Sequence, residues 1–241
     1  MRCLENNACK SFNFKKDVGR CQLSGSFYNP CNSNIADMAG SSFYTVARPD
    51  AKPQSCAEYK YGHRMNTLRD GLYCLYPGTP QTIPISLYCK NDVNVPGGYK
   101  EFVDLLPGSV NTNYWPGQSS YTRKGGTSFT KIRIDTTNLR VIGNDYTFAV
   151  LYGSTGGTTK HPYGTGGGCS LQGKLLGSFH IDLVGTKFKV KEGTTWTVVG
   201  FNQRMGTLSI TNNWQRVHNK CDGYCGSCSA SGGLYLQIYK P

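Results

Sequence analysis

The residues with the most chemistry per unit length are Lys220-Cys-Asp-Gly-Tyr-Cys-Gly-Ser-Cys228. Cys221, Cys225 and Cys228 stand at C-x3-C-x2-C spacing with Gly223 and Gly226 between them, a pattern that predicts a tight, strongly turned segment. Three chemistries fit it. The cysteines can be structural disulfides. They can join His218, three residues upstream of Cys221, in a zinc set of His218, Cys221, Cys225 and Cys228. Or Cys225-Gly-Ser-Cys228 can be a redox pair, although no helix start or βαβ unit accompanies it. Eleven cysteines in 241 residues suit an oxidising compartment, where cysteine is offered as cystine rather than thiolate, so disulfides are favoured.

Other routes to catalysis find little support. The four histidines, His63, His161, His180 and His218, are scattered, and no H-E-x-x-H is present. Gly168-Cys-Ser-Leu-Gln-Gly-Lys-Leu175 approaches a phosphate-binding loop, but Leu175 lacks the hydroxyl that would hold magnesium. There is no G-x-S-x-G elbow. No catalytic residue and no cofactor are expected. Binding chemistry is better represented. The net charge is +12, which predicts attraction to polyanions. Lys187, Lys189 and Lys191 alternate, so on a strand they would project from one face roughly 6.5–7 Å apart, a spacing suited to sulfate groups. Arg123 and Lys124 with Lys131 and Arg133 form a second basic group. Such rows also serve as solvated faces or guards on edge strands, and that reading stays open. No N-x-[ST] sequon occurs.

The elements that must position these residues are short strands. Glycine (30 residues) and tyrosine (16) are abundant and charged residues make up only 17%, a profile of β-rich, loop-heavy modules. Strands are predicted at 131–135, 138–142, 146–152, 194–201, 206–210, 213–217 and 233–239, with 177–185 and 186–191 forming a hairpin at a glycine. The glycine-rich stretch 154–170 reads as a loop, and helix-period patterns are nearly absent. No window approaches the roughly 18 apolar residues of a membrane span. The N-terminus lacks the apolar core of a signal peptide, which conflicts with the cysteine count. The expectation is that Met1 lies inside a longer secreted protein, with a reduced cytosolic zinc protein as the alternative. Residues 1–48 form one module, 49–55 a proline-bearing linker and 56–241 a second module.

Within the first module, RCLENNACKSFNFKK, then GRCQLS and the closing FYTV, resemble the second half of a PAN/apple module. The resemblance implies a truncated α+β domain in which Cys3 pairs with Cys9, while Cys21 is free or joined to Cys31. Residues 56–241 resemble the GON domain, the C-terminal module of certain ADAMTS-type zinc metalloendopeptidases. The match runs in order through SCAEYK (55–60), DGLY (70–73), LYCKND (87–92), GGYKEFVDL (97–105), SFTKIRIDTTNLRVI (128–142), GSFHIDLVGTKFKV (177–190), KCDGYCGSC (220–228) and GLYLQI (233–238). Cys56, Cys89, Cys169, Cys221, Cys225 and Cys228 fall at family-like positions, and Cys74 looks like an addition. A local similarity to the start of fibrinogen-like domains implies a Cys56–Cys89 bridge.

The resemblances imply a mainly β, disulfide-rich, extracellular protein of two modules, an antiparallel GON module after the truncated PAN/apple one. Its implied work is binding a matrix protein or sulfated glycosaminoglycan, without catalysis, nucleic acid or a membrane span. The alternative is a fragment of a secreted zinc metalloendopeptidase whose catalytic domain lies outside the chain.

Overall fold

Strands make up nearly every regular element of the computed structural model, as the Val, Ile, Thr and aromatic content of its segments anticipates. Residues 11–15, 20–24, 31, 41–45, 52–63, 65–80, 83–116, 124–153, 160–168 and 177–240 are described. The chain divides into two compact units, Met1–Lys100 and Glu101–Pro241.

In the first unit, β1 (Ser11–Lys15), β2 (Arg20–Ser24) and β3 (Ser41–Thr45) form an antiparallel sheet in the order β2-β1-β3. The helix α1 (Cys56–Gly62) follows, and the sequence reading does not anticipate it. Seven residues are too few to display a helical period, but its start is written in Ser55-x-x-Glu58. The Ser55 hydroxyl accepts from Glu58 N at 3.2 Å, and the Glu58 carboxylate accepts from Gln54 N at 2.8 Å. The stretch before the helix is anchored, since Pro53 is buried and its carbonyl accepts from Tyr76 N at 2.8 Å.

α1 buries Cys56 and Tyr59, three residues apart on one face. β4 (Gly71–Leu75) pairs antiparallel with β5 (Ile85–Asn91), on which buried Ile85, Leu87 and Cys89 alternate with more exposed neighbours. Cys56 bonds to Cys89, with Cα atoms 5.9 Å apart. Cys31 bonds to Cys74, Cα–Cα 5.5 Å, which corrects one expectation: Cys31 does not join Cys21. Cys74 lies inward on β4, 5% exposed, and the separation is within the reach of a disulfide.

β6 (Tyr99–Asp104) straddles the division between the units. Beyond it lie β7 (Thr112–Pro116), β8 (Lys124–Phe129), β9 (Lys131–Ile134), β10 (Ala149–Gly153), β11 (Gly166–Gly168) and β12 (Gly177–Asp182). β13 (Phe188–Val190), β14 (Trp196–Thr211), β15 (Arg216–Ala230) and β16 (Leu236–Ile238) complete the chain. The main sheet runs β10-β8-β7-β12-β15-β11, with β14 on the other side of β15. β9 pairs with Glu101–Asp104, and β13 pairs with β16. The core is filled by Phe102, Phe179, Phe188, Ile132, Ile134, Ile181, Leu183, Val190 and Val217, all at most 2% exposed. Among the described residues no helix is long and apolar enough to cross a membrane.

Several predicted strands resolve differently. Residues 138–142 form no named strand. A turn at 136–138 leads into Leu139 at φ 61°, and Asp135 carboxylate and Asn138 amide oxygens accept from Thr137 N and Arg140 N. Only Arg140 and Val141 make single antiparallel bridges, to Tyr235 and Ile134. The 177–191 hairpin does not form, because β12 pairs with β15 and β7 while β13 pairs with β16. The segments 194–201 and 206–210 fuse into the single bulged strand β14. The strand predicted at 213–217 begins only at Arg216: Asn212, Asn213 and Trp214 turn the chain with φ between 49° and 65° and send it back as β15.

Candidate functional site

β15 presents two faces with opposite character. Val217, Asn219 and Cys221 point inward and are buried, while Arg216, His218 and Lys220 alternate with them on the outer face. Arg216 and Lys220 are exposed and His218 is half-buried. Directly opposite, β12 places Asp182 across from Arg216, His180 across from His218, and Ser178 across from Lys220. The register continues with Thr112 and Tyr114 on β7 beside His180 and Ser178, and with Ser209 on β14 beside His218.

The two imidazoles stack, with centroids 3.8 Å apart and planes 16° from parallel. Arg216 Nε meets Asp182 Oδ2 at 3.2 Å. Burial, followed by the Lys220 ammonium, lowers the pKa of His180. Burial, then His180, then Lys220, lowers that of His218. Both rings are therefore held toward the neutral form, each with one N–H donor and one acceptor nitrogen. On acidification they add positive charge to a face that already carries Lys220 and the Arg216–Asp182 pair.

The zinc set of His218, Cys221, Cys225 and Cys228 is corrected. Cys221 and Cys228 are joined in a disulfide, which leaves them no thiolate for a metal. His218 and Cys221, three apart on a strand, also project to opposite faces, one toward His180 and the other into the core. Among the described residues no group of three or more His, Cys, Asp or Glu side chains could hold one metal ion.

The cysteine segment does turn, but it turns while paired. Seven residues of straight strand would separate Cys221 from Cys228 by roughly 23 Å, whereas their Cα atoms are 5.6 Å apart. The chain bends between them, where Gly223 and Gly226 lie, and the pairing of β14 to β15 shifts register from Gly200 to Leu208 alongside. β15 then lies against β12 before the corner and against β11 after it.

The basic residues singled out from sequence do not assemble into one patch. Lys189 is 7% exposed, its ammonium held by Glu192 at 2.5 Å and Asn213 at 3.3 Å, so the lysine comb fails at its middle tooth. The physical reason is that the strand spans only Phe188–Val190. Lys191 lies over the Tyr235 ring, and Lys187 is exposed. Lys131 is paired with Asp104, and Arg133 with Asp145 at 3.3 Å, so neither presents an uncompensated charge. Arg123, Cys3, Cys9 and Cys169 lie outside the described residues, as do the side chains of Cys21, Lys124 and Cys225. Sequence reasoning missed His180. Its signal is the pair of alternating segments Gly177–Asp182 and Arg216–Cys221, each with a histidine at an outward position, but only the register brings the two together.

The chain is similar over its second part to known proteins. The GON domain family matches residues 107–238. "A disintegrin and metalloproteinase with thrombospondin motifs 20" of Homo sapiens is 30% identical over 118 residues, covering 47% of this chain and 6% of that protein. "A disintegrin and metalloproteinase with thrombospondin motifs gon-1" of Caenorhabditis elegans is 36% identical over 118 residues, covering 47% of this chain and 5% of that protein. The chain thus spans only about a twentieth of the relatives' length. No solved structure matches. The family match takes in more than half of the 241 residues and contains β7 to β16, and on that ground the chain belongs to the GON domain family.

Proposed function

We propose that the protein is a secreted, non-catalytic binding module whose outer β15 face engages sulfate groups of an extracellular glycan. The observation that carries the reading is the side-by-side projection of Arg216, His218 and Lys220 on one strand face, where Arg216 meets Asp182 through Nε and is still half exposed. Alternate strand residues stand roughly 6.5–7 Å apart, and guanidinium and ammonium groups are natural sulfate partners. The net charge of +12 adds a long-range attraction for polyanions. Three disulfides among the described residues and similarity to proteins named for metalloproteinase and thrombospondin parts support an extracellular setting. The PAN/apple-like residues around β1 to β3 are read as a companion module.

The test is retention on immobilised heparin across a salt gradient. The protein is expected to elute at higher salt than a neutral protein of its size, and an Arg216→Gln/Lys220→Gln variant to elute earlier. Retention should also rise from pH 7.5 to 5.5 as the histidines charge. Elution at the salt of a neutral control removes glycan binding, and unchanged elution of the variant removes this face from it.

A second reading is that the chain is one module of a longer metalloendopeptidase, favoured by the small share of each relative that it spans. Transcript sequence decides it: an in-frame H-E-x-x-H region upstream of Met1 establishes the protease parent, and a different upstream architecture excludes it.

A further inference from the structure

A cleft of about 590 Å³ opens in the second unit, away from the histidine-bearing face. Its volume lies in the range typical of small-ligand sites, about 300–1,000 Å³. Four chain stretches converge on it: 140–144 after the β9 turn, 162–165 before β11, the end of β15 at 229–230, and 233–234 before β16. These walls are tied to one another through their main chains. Val141 N donates to Leu234 O at 2.8 Å, Tyr163 N to Gly143 O at 2.9 Å, and Leu236 N to Leu139 O at 2.9 Å.

Two buried asparagines hold the remaining wall from behind. Asn113 Nδ2 donates to the carbonyls of His161 and Pro162, both at 2.9 Å, and the Tyr163 hydroxyl donates to Asn111 Oδ1 at 2.6 Å. Burial raises the Tyr163 pKa well above its ordinary value, so the phenol remains a donor. The cleft is a fixed feature of the fold rather than a gap between loose loops.

Glycine lets its walls meet closely. A Cβ on Gly164, where φ is +72°, would lie 2.8 Å from the Leu234 side chain. One on Gly233, where φ is +105°, would lie 3.3 Å from Arg140 Nε, and one on Gly143 would lie 3.0 Å from Tyr163 O. At these positions the absent side chain lets one wall pack directly on the next.

The chemistry of the lining is asymmetric. Arg140 is the only cation among the described residues that line the cleft, and none of these is Asp or Glu. Ile142, Pro162 and Leu234 supply apolar surface, with Thr165 and Ser229 as hydroxyl groups. Arg140 is placed by its own turn, in which Leu139 adopts φ 61°, Arg140 N donates to Asn138 Oδ1 at 2.9 Å, and Arg140 O accepts from Asp135 N at 2.8 Å. One guanidinium fork beside apolar walls suits a single planar carboxylate carried on an apolar peptide. A sulfated glycan, charged along its whole length, would call for several cations, and this lining has one.

We infer that the Arg140 cleft is a peptide-carboxylate site, with the guanidinium taking the carboxylate and the apolar walls at Ile142 and Pro162 taking the adjoining apolar part of the peptide. The carboxylate can come from a chain terminus or from an acidic side chain. The inference stands apart from glycan binding, which uses Arg216, His218 and Lys220.

The experiment is a titration of 15N-labelled protein followed by NMR, including the arginine Nε–Hε signals. The probes are acetyl-Gly-Leu-Val with a free carboxyl terminus, the same peptide as its amide, acetyl-Gly-Glu-Val-amide, and a trisulfated heparin disaccharide. At least one carboxylate probe should shift Gly143, Gly164, Gly233 and Arg140 Nε–Hε saturably, and the comparison between the two assigns terminus or side chain. The neutral amide, and the carboxylate probe with Arg140→Gln, should bind at least about tenfold more weakly, while Arg140→Lys should retain part of the affinity because it keeps charge without the fork. Arg140 is exposed, and the unshifted remainder of each variant's spectrum reports its fold. Equal binding of the neutral amide, no saturable shift with either carboxylate, or tighter binding of the disaccharide at the same signals overturns the inference.

Discussion

Around α1 and the β4–β5 hairpin, order is covalent. Cys56 ties the helix to β5 at Cys89, and Cys31 ties an earlier stretch to β4 at Cys74, around a small core of Leu68, Leu75, Ile85 and Leu87. The large sheet of the second unit carries one described bridge, Cys221–Cys228, confined to a single strand, and its separate strands are joined instead by packing and buried polar bonds. Phe179, Phe188, Ile181 and Val217 fill its interior, and Asn111 and Asn113, each 1% exposed, stitch loops to strands. A small unit buries too little apolar surface to do without cross-links, whereas a larger one gains enough to accommodate satisfied amides inside.

The largest expected effect tests the covalent side of this contrast. A Cys56→Ala/Cys89→Ala variant loses closure of a loop with a sequence separation of 33, which the chain-entropy treatment values at roughly 3–4 kcal/mol. Peptide-resolved hydrogen exchange should show α1, β4 and β5 losing more protection than β12 and β15. Equal loss in both units would dissolve the contrast.

Its counterpart in the sheet is Asn113. Asn113→Ala leaves the His161 carbonyl and the buried Thr127 N without the side chain that pairs them, while the Pro162 carbonyl keeps the Thr165 hydroxyl at 2.7 Å. Orphaned buried groups of this kind cost roughly 2–3 kcal/mol together. The urea midpoint should fall with an unchanged slope, and exchange should rise most at residues 160–165. A midpoint within error of the parent protein would show that the loop is held by packing rather than by the amide.

What could be read from the chain follows the same division between local and distant causes. The mainly β character, the family-like segments, and the strand cores at 131–134 and 177–182 come from alternation, which is local. The capping pair Ser55 and Glu58 was equally local, yet the helix it starts is too short for periodicity to reveal. Leu139 in a left-handed conformation runs against its residue type, so 138–142 reads as a strand until the Asp135 and Asn138 turn bonds are seen. Lys189 shows the limit for charge. Its alternation with Lys187 and Lys191 is real, but Glu192 and Asn213 draw it inward. The His180–His218 contact depends on a register between segments 38 residues apart, which no window of sequence contains.

That contact gives the smallest effect and the sharpest sign. The stacked rings face Lys220, the Arg216–Asp182 pair, Tyr114 and Thr112 from β7, and Ser209 from β14, and each ring has its pKa lowered chiefly by burial. Two imidazolium charges about 4 Å apart repel by between roughly 1 and 4 kcal/mol, and half-exposed rings fall toward the lower figure. The unfolded chain, with histidines near pKa 6.5, therefore takes up protons before the folded chain does. Below about pH 6.5 the unfolded state binds more protons, so stability is complete above that pH and declines as pH falls through the depressed folded values. His161, stacked on Trp115 and also lowered by burial, contributes in the same direction and is left in place as a background. Melting temperatures measured from pH 7.5 to 5.0 should therefore fall less steeply for His180→Gln/His218→Gln than for the parent protein, with either single variant between them. Parallel slopes would mean that the stacked pair titrates as it would in the unfolded chain, and the sheet face would then keep only the fixed charge of Arg216 and Lys220.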